Sequence, residues 1–207
     1  MKGSLGTATY LSYTRPYWGK SIAKLNYIDK LSPEAKVRYK AINLYSTGNY
    51  SLKQVCEIFE INLNEFNITG VHIFSLFSTE WVGAKLLILK PNQFFPEHIH
   101  PPSEKEKFPG KTEVLRGQWG EFYLVVPGSI TCNPKSNPPS HRKKYIDIWH
   151  EIVIHPGDQY IISPNTWHWF QAGPEGAIVW SISSKLTDAE DKFKDPQVKR
   201  KTIIIDD

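Results

Sequence analysis

From Val71 onward the chain is cut at short intervals by turn-forming clusters: Lys90-Pro91-Asn92, Pro127-Gly128, Pro156-Gly157-Asp158, Pro164-Asn165 and Gly173-Pro174-Glu175-Gly176. Proline presets φ, and Gly and Asn tolerate positive φ, so each cluster favours a reversal over a continued helix. The pieces between them are short and rich in β-branched and aromatic residues, which suit a pleated surface. They predict strands at Val71–Phe77, Val82–Leu89, Phe94–His100, Thr112–Arg116, Glu121–Val126, Ile146–Ile154, Gln159–Ser163, Trp167–Ala172 and Ala177–Ser183. Many short strands at such spacing specify a sandwich or a barrel. Residues 128–145 are polar and proline-rich, which predicts a loop between strands.

The N-terminal part reads differently, so the chain divides into an arm with helices at 1–66 and a β unit with a C-terminal tail at 67–207. Residues 1–30 show no period. A helix is predicted from Pro33 to about Thr47, with Ser32 as N-cap and Gly48 as its stop. A second helix is predicted after Ser51, where Leu52, Val55, Cys56 and Phe59 form an i, i+3, i+4, i+7 stripe. Two short helices around Gly48–Ser51 invite a helix-turn-helix reading. Against it, the sequence after Ile61 soon turns to strand, which leaves no full recognition helix, and basic residues are sparse there. Nucleic acid is therefore not expected as a partner.

Bulk properties narrow the remaining classes. The 207 residues are 40% hydrophobic, enough for a core, and carry a net charge of +4 that sits largely in short solvated runs such as Arg142–Lys144 and Lys199–Lys201. The two cysteines, Cys56 and Cys132, stand far apart in no ligand-type spacing. This argues against a disulfide framework or a thiolate metal site. No basic segment followed by an apolar run opens the chain, and no stretch approaches the roughly 18 apolar residues of a membrane span. The expectation is a protein of the reducing cytoplasm.

The chemistry concentrates between Phe95 and Gly120 and at one later histidine. His98 and His100 are two apart, so on a strand both side chains point to one face. Pro96, Pro101 and Pro102 stiffen the backbone around them. Glu113 opens the next predicted strand, and His168 follows the Pro164-Asn165 turn. Three imidazoles and a carboxylate can hold a divalent ion and leave coordination positions open. That mixed N/O set suits Mn, Fe, Co, Ni or Zn without choosing among them. A lone pair of alternate histidines is as often structural as ligating; the additional partners favour ligation. His72, His141, His150 and His155 lack such partners and read as structural or exposed. By alternation Trp167 and Trp169 face away from His168 and read as packing, whereas Phe170 shares its side.

These residues resemble the two motifs of the cupin superfamily: His98, His100, Glu113 and Gly120 in the first, Gly157, Pro164 and His168 in the second. The implied fold is an all-β cupin β-barrel (double-stranded β-helix, or jelly roll) with a short N-terminal helical extension. More narrowly, PEHIHPP, GKTE, PGDQYIISPNTWHWFQAGPEGA and the ending SS…TD…DKFKDP resemble the D-lyxose isomerase family. The resemblance implies a metal-dependent aldose–ketose sugar isomerase, cytosolic and often a homodimer. Its Mn2+ would be held by His98, His100, Glu113 and His168, and its substrate would be D-lyxose or a related sugar, interconverted with the ketose through an enediol.

Lys111 matches the lysine of the family's K-x-E and is the expected catalytic proton shuttle or oxygen polariser; a solvated surface lysine is the plainer alternative. Phe170 is expected to line the sugar pocket. One position departs from the pattern. The family places a glutamate two residues before the paired serines, and this chain has Ser181 there. Ser181 is then a substrate-binding candidate, and three readings stand: an isomerase, a sugar-binding cupin without catalysis, or oxygen chemistry at iron.

Overall fold

The computed structural model describes the backbone of residues 56–59 and, in full, residues 63–104, 107–185 and 190–199. Nine strands follow in order: β1 (Cys56–Phe59), β2 (Val71–Ser78), β3 (Val82–Leu89), β4 (Phe94–Ile99), β5 (Glu113–Val126), β6 (His150–Ile154), β7 (Gln159–Ile162), β8 (His168–Ser184) and β9 (Lys192–Phe193). One 3-10 turn, Lys143–Tyr145, interrupts the long loop before β6.

The two long strands, β5 and β8, run antiparallel along each other and carry the rest. Beyond the C-terminal half of β8 come β3, β2 and β1; beside its N-terminal half come β4 and β9. On the far side of β5 lie β7 and β6. Each of these pairings is antiparallel. Apolar side chains gather on one face: Val71, Ile73, Leu87 and Leu89 from β2 and β3 meet Phe95, Phe122, Leu124, Ile154, Ile162 and Phe170 in one buried cluster. Burying each such side chain contributes roughly 1.5–3 kcal/mol, so this shared face is what curls the sheet.

The expected closed barrel does not form. The ladders make one nine-stranded sheet, and among the described residues none joins β1 or β9 to β6 or β7. The reason lies in β5 and β8. Both bend with register shifts at Gly117/Trp119 and Gly120/Phe122, and their two halves carry different partners. Gly120 and Gly176 take positive φ at this bend, and a Cβ on Gly120 would meet the Gly176 carbonyl oxygen at 2.1 Å. The core is thus enclosed by a folded-over, cupin-like sheet whose outer strands do not meet among the described residues. The run Gly173–Gly176, expected as a turn, lies inside β8 for the same reason.

The expected helix over 33–47 lies outside the described residues. The second expected helix is overturned where it can be seen: Cys56–Phe59 is a strand paired with Val71–Phe74. Pairing with β2 overrides the helical spacing of its apolar residues.

The loop before β6 packs on the convex face, where Phe94, Val125, Ile146 and Trp169 form a second cluster with Ile148 and Trp149. Trp169 Nε1 donates to the Ile148 carbonyl at 3.0 Å, so Trp169 is packing and Phe170 faces the main core. Buried Arg142 fastens this loop, donating to Glu65 Oε1 (3.0 Å), Asp195 Oδ2 (2.8 Å) and Gln197 Oε1 (2.6 Å). The segment 190–199 therefore returns against the body of the fold, and β9 lies along β4 beside His98 and Ile99.

Candidate metal centre

Alternation on β4 turns His98 inward, and His100 follows just past the strand end; β8 begins at His168, which stands directly opposite His98 in the ladder. All three are buried, and each offers a ring nitrogen within 4.8 Å of the others. The His98 and His168 ring centroids are 4.1 Å apart, and His100 lies 5.1 Å from each.

Hydrogen bonds settle which nitrogens face the centre. His98 Nδ1 contacts the Pro96 carbonyl at 2.9 Å, and His168 Nδ1 contacts the Thr166 carbonyl at 2.9 Å. A carbonyl only accepts, so each Nδ1 carries the proton, and each Nε2 keeps a lone pair when the ring is neutral. His100 Nδ1 lies 2.6 Å from Asp191 Oδ1, a carboxylate acceptor. Burial, then the neighbouring His168 and His100, holds His98 well below the usual imidazole range; burial, then His100, brings His168 down to about 4. Neutral imidazoles are what a metal requires.

Glu113, at the start of β5, closes the group. Its Oε2 lies 3.2 Å from His100 Nε2 and 3.9 Å from His168 Nε2. Its Oε1 accepts from Ser181 Oγ and stands 3.6 Å from Lys111 Nζ. Burial pushes this carboxyl up, but the Lys111 charge and the His100 hydrogen bond more than offset it, and the group is held well below the usual carboxylate range. The buried His168 Nε2 has no hydrogen-bond partner among the described residues. An orphaned lone pair beside a carboxylate and two further imidazoles fits a divalent cation, with Nε2 donors and one carboxylate oxygen.

The sequence-predicted residues therefore meet in one place. His98, His100, Glu113, Lys111, Phe170 and Ser181 all line one open cleft, and His168 packs behind them. Gly110 lets the loop return: its φ is +101°, and a Cβ there would lie 2.8 Å from the His100 carbonyl oxygen. Lys111 is buried, which rules out the solvated-lysine alternative.

Two charged lining residues escaped the sequence reading. Lys85, buried on β3, faces the cleft opposite Ser181. Its signal was present: a lysine in phase with Leu87 and Leu89 on an otherwise apolar strand. Asp191 reaches the cleft from the C-terminal segment; it opens the DKFKDP run that carries part of the resemblance, but no role was read for it. Phe193, beside it, stacks on His98 with centroids 5.5 Å apart.

No family model matches the chain. Among curated proteins, it is 43% identical over 169 residues to the D-lyxose ketol-isomerase of Thermofilum sp., covering 80% of this chain and 93% of that one. It is 45% identical over 175 residues to the D-lyxose/D-mannose isomerase of Thermosediminibacter oceani, covering 83% and 96%. The D-lyxose ketol-isomerase of Cohnella laeviribosi is 40% identical over 148 residues, covering 72% and 80%. Among solved structures, the L-ribose isomerase of Cellulomonas parahominis with L-ribose superposes with a TM-score of 0.58 at 13% identity, covering 78% of this chain and 90% of that one. The L-ribose isomerase of Acinetobacter sp. DL28 with L-ribose gives 0.59 at 14%, covering 80% and 92%. At such identity the two structures speak for the fold alone.

Proposed function

We propose that this chain, which belongs to the D-lyxose ketol-isomerase family of metal-dependent aldose–ketose isomerases, interconverts D-lyxose and D-xylulose with Mn2+ held by His98, His100, Glu113 and His168. One observation carries the reading. Imidazole Nε2 atoms and the Glu113 carboxylate converge on one point of a cleft that also holds two buried lysines.

When bound, the metal supplies Lewis-acid stabilisation for the negative charge that develops on the sugar oxygens. The chain's own groups do the rest. Lys111, beside Glu113 Oε1, is the proton shuttle: in its amine form it takes the proton from C2, and the ammonium so formed returns it to C1 of the enediol while the O2 proton passes to O1. Ser181 fixes Glu113 by donating to Oε1, so the serine at the family's glutamate position orients the carboxylate rather than replacing a base. Phe170, stacked on Phe95 with centroids 4.9 Å apart, offers a flat apolar wall against which a sugar's C–H face can rest. Phe95 and Phe193 also crowd water away from His98.

The decisive experiment incubates Mn2+-loaded protein with D-lyxose, D-mannose and a panel of other aldoses in deuterated water. Ketose formation and deuterium at C2, strongest on D-lyxose, are expected. Exchange on no aldose would overturn the proposal, and sugar affinity without exchange would mark a binding protein instead.

The same reading makes the protein a cytoplasmic homodimer. Support comes from an apolar row across the outer face. Phe77, Ala84, Ile182, Val114 and Ile161 are successive ladder neighbours, with Phe77, Ile182 and Ile161 exposed. Light scattering on the purified protein tests it, with a mass near twice that of one chain expected. No helix among the described residues is long and apolar enough to cross a membrane.

A further inference from the structure

The three imidazoles of the centre are not oriented in the same way. His98 and His168 each donate Nδ1–H to a backbone carbonyl two residues earlier, at Pro96 and Thr166. Those acceptors are local, one within β4 and one just before β8. His100 lies just past the end of β4, and the acceptor at its Nδ1 is the Asp191 carboxylate, 91 positions later and 2.6 Å away, with a side chain only 8% exposed. We propose that Asp191 is a positioning residue for the metal centre: its carboxylate fixes the tautomer and ring plane of His100 and makes Nε2 a stronger donor. The inference rests on the reading of His98, His100 and His168 as metal ligands.

The chemistry follows from charge. A neutral carbonyl and a carboxylate both select the Nδ1–H tautomer, but the carboxylate also pushes electron density through the ring toward Nε2. Such a bond is charge-assisted, and it lies out of water where it is least screened. It also ties the centre to the C-terminal segment. That segment is anchored independently by the β4–β9 ladder, by Lys194 N–H to the Glu97 carbonyl (2.9 Å) and by Asp195 to Arg142. These anchors hold Asp191 in place whether or not His100 is bonded to it, so the carboxylate acts as a preset support.

The test measures metal binding directly, by titrating the metal-free full chain with Mn2+ and with Co2+, whose visible spectrum reports ligand geometry. Asp191→Ala is expected to raise the Mn2+ dissociation constant about 10- to 100-fold and to alter the Co2+ spectrum. Asp191→Asn keeps an acceptor without the charge and is expected to fall between. Lys194→Ala removes an exposed ion pair with Asp147 at 2.5 Å and a contact over the Trp167 ring at 4.6 Å, neither of which touches His100 or Asp191, and should bind metal as the parent does. Parent-like Mn2+ affinity and Co2+ spectrum in Asp191→Ala would overturn the inference. If that variant does not fold, the same comparison on Asp191→Asn decides it. A parent protein that binds neither ion would instead refute the metal reading itself, and the inference with it.

Discussion

His98 and His168 are directly opposed across the β4–β8 ladder, with ring centroids 4.1 Å apart and each Nδ1 committed to a backbone carbonyl. Two buried rings this close, both kept neutral, gain little from each other; a cation between their lone pairs is what makes the pair favourable. Metal should therefore stabilise the fold. At a free concentration of 100 times its dissociation constant, linkage gives about 2.7 kcal/mol. At about 2–4 °C per kcal/mol for a chain of this size, Mn2+ should raise the calorimetric midpoint by about 5–10 °C, and a chelator should reverse it. His168→Ala should abolish the shift.

Lys111 sits 3.6 Å from the carboxylate proposed to complete the metal group, which separates two roles that mutation can split. Lys111→Met keeps the length and apolar stem of the side chain and removes the proton. It should lower kcat by about 10²- to 10⁴-fold, the usual contribution of a positioned acid–base group. Metal affinity should change far less than in His168→Ala. Steady-state kinetics beside a metal titration reads both, and equal losses in the two would assign Lys111 to the metal site rather than to proton transfer.

The centre was legible because its signals are local or periodic. His98 and His100 share a face through strand alternation, and Phe170 takes the side of His168 two positions on. The turn clusters located most strand ends, yet Gly173–Gly176 lies within β8, and the gap left between the predicted strands at 117–120 lies within β5, because continued pairing between these long strands carries them through the bend. Cys56–Phe59 carries a helix-like stripe but obeys its β2 neighbour. An open sheet and a closed barrel share the same strand patterns, and closure depends on which edges meet, a property of no single segment. Asp191 stands in the quoted DKFKDP run, but its role was not legible because it comes from His100, which only the fold brings near.

Ser181 donates to Glu113 Oε1 in the interior of the cleft, with both side chains buried. Ser181→Ala leaves one carboxylate oxygen a donor short, at a cost of about 1–3 kcal/mol. The expected result is a Mn2+ affinity weakened by about 5- to 100-fold, with the fold intact by circular dichroism. Ser181→Glu would press a second negative charge against Glu113, and like charges this close cannot both ionise freely. That variant should shift the acid limb of the kcat/KM profile upward in pH, which a pH–rate series would show.

Arg142 binds three segments at once, and its loss should be felt in stability rather than catalysis. Its guanidinium is buried against Glu65 and Asp195, so Arg142→Met strands two carboxylates. Removing one partner of a buried pair costs about 3–5 kcal/mol, readable as a lower midpoint in urea. The same cluster sets an acid dependence. Burial raises the Glu65 pKa, but hydrogen bonds from Arg142, Thr69 and His141 outweigh it, and the folded value lies below the ordinary 4.5. A depressed folded pKa means the unfolded chain takes up the proton first. The stability from Glu65 is therefore complete above pH 4.5 and is lost as pH falls through the lower folded value. Urea midpoints from pH 6 down to pH 3 should decline steeply in the parent below pH 4.5 and more shallowly in Arg142→Met, where the lowering has been removed. Parallel declines in the two proteins would show that the acid sensitivity originates elsewhere.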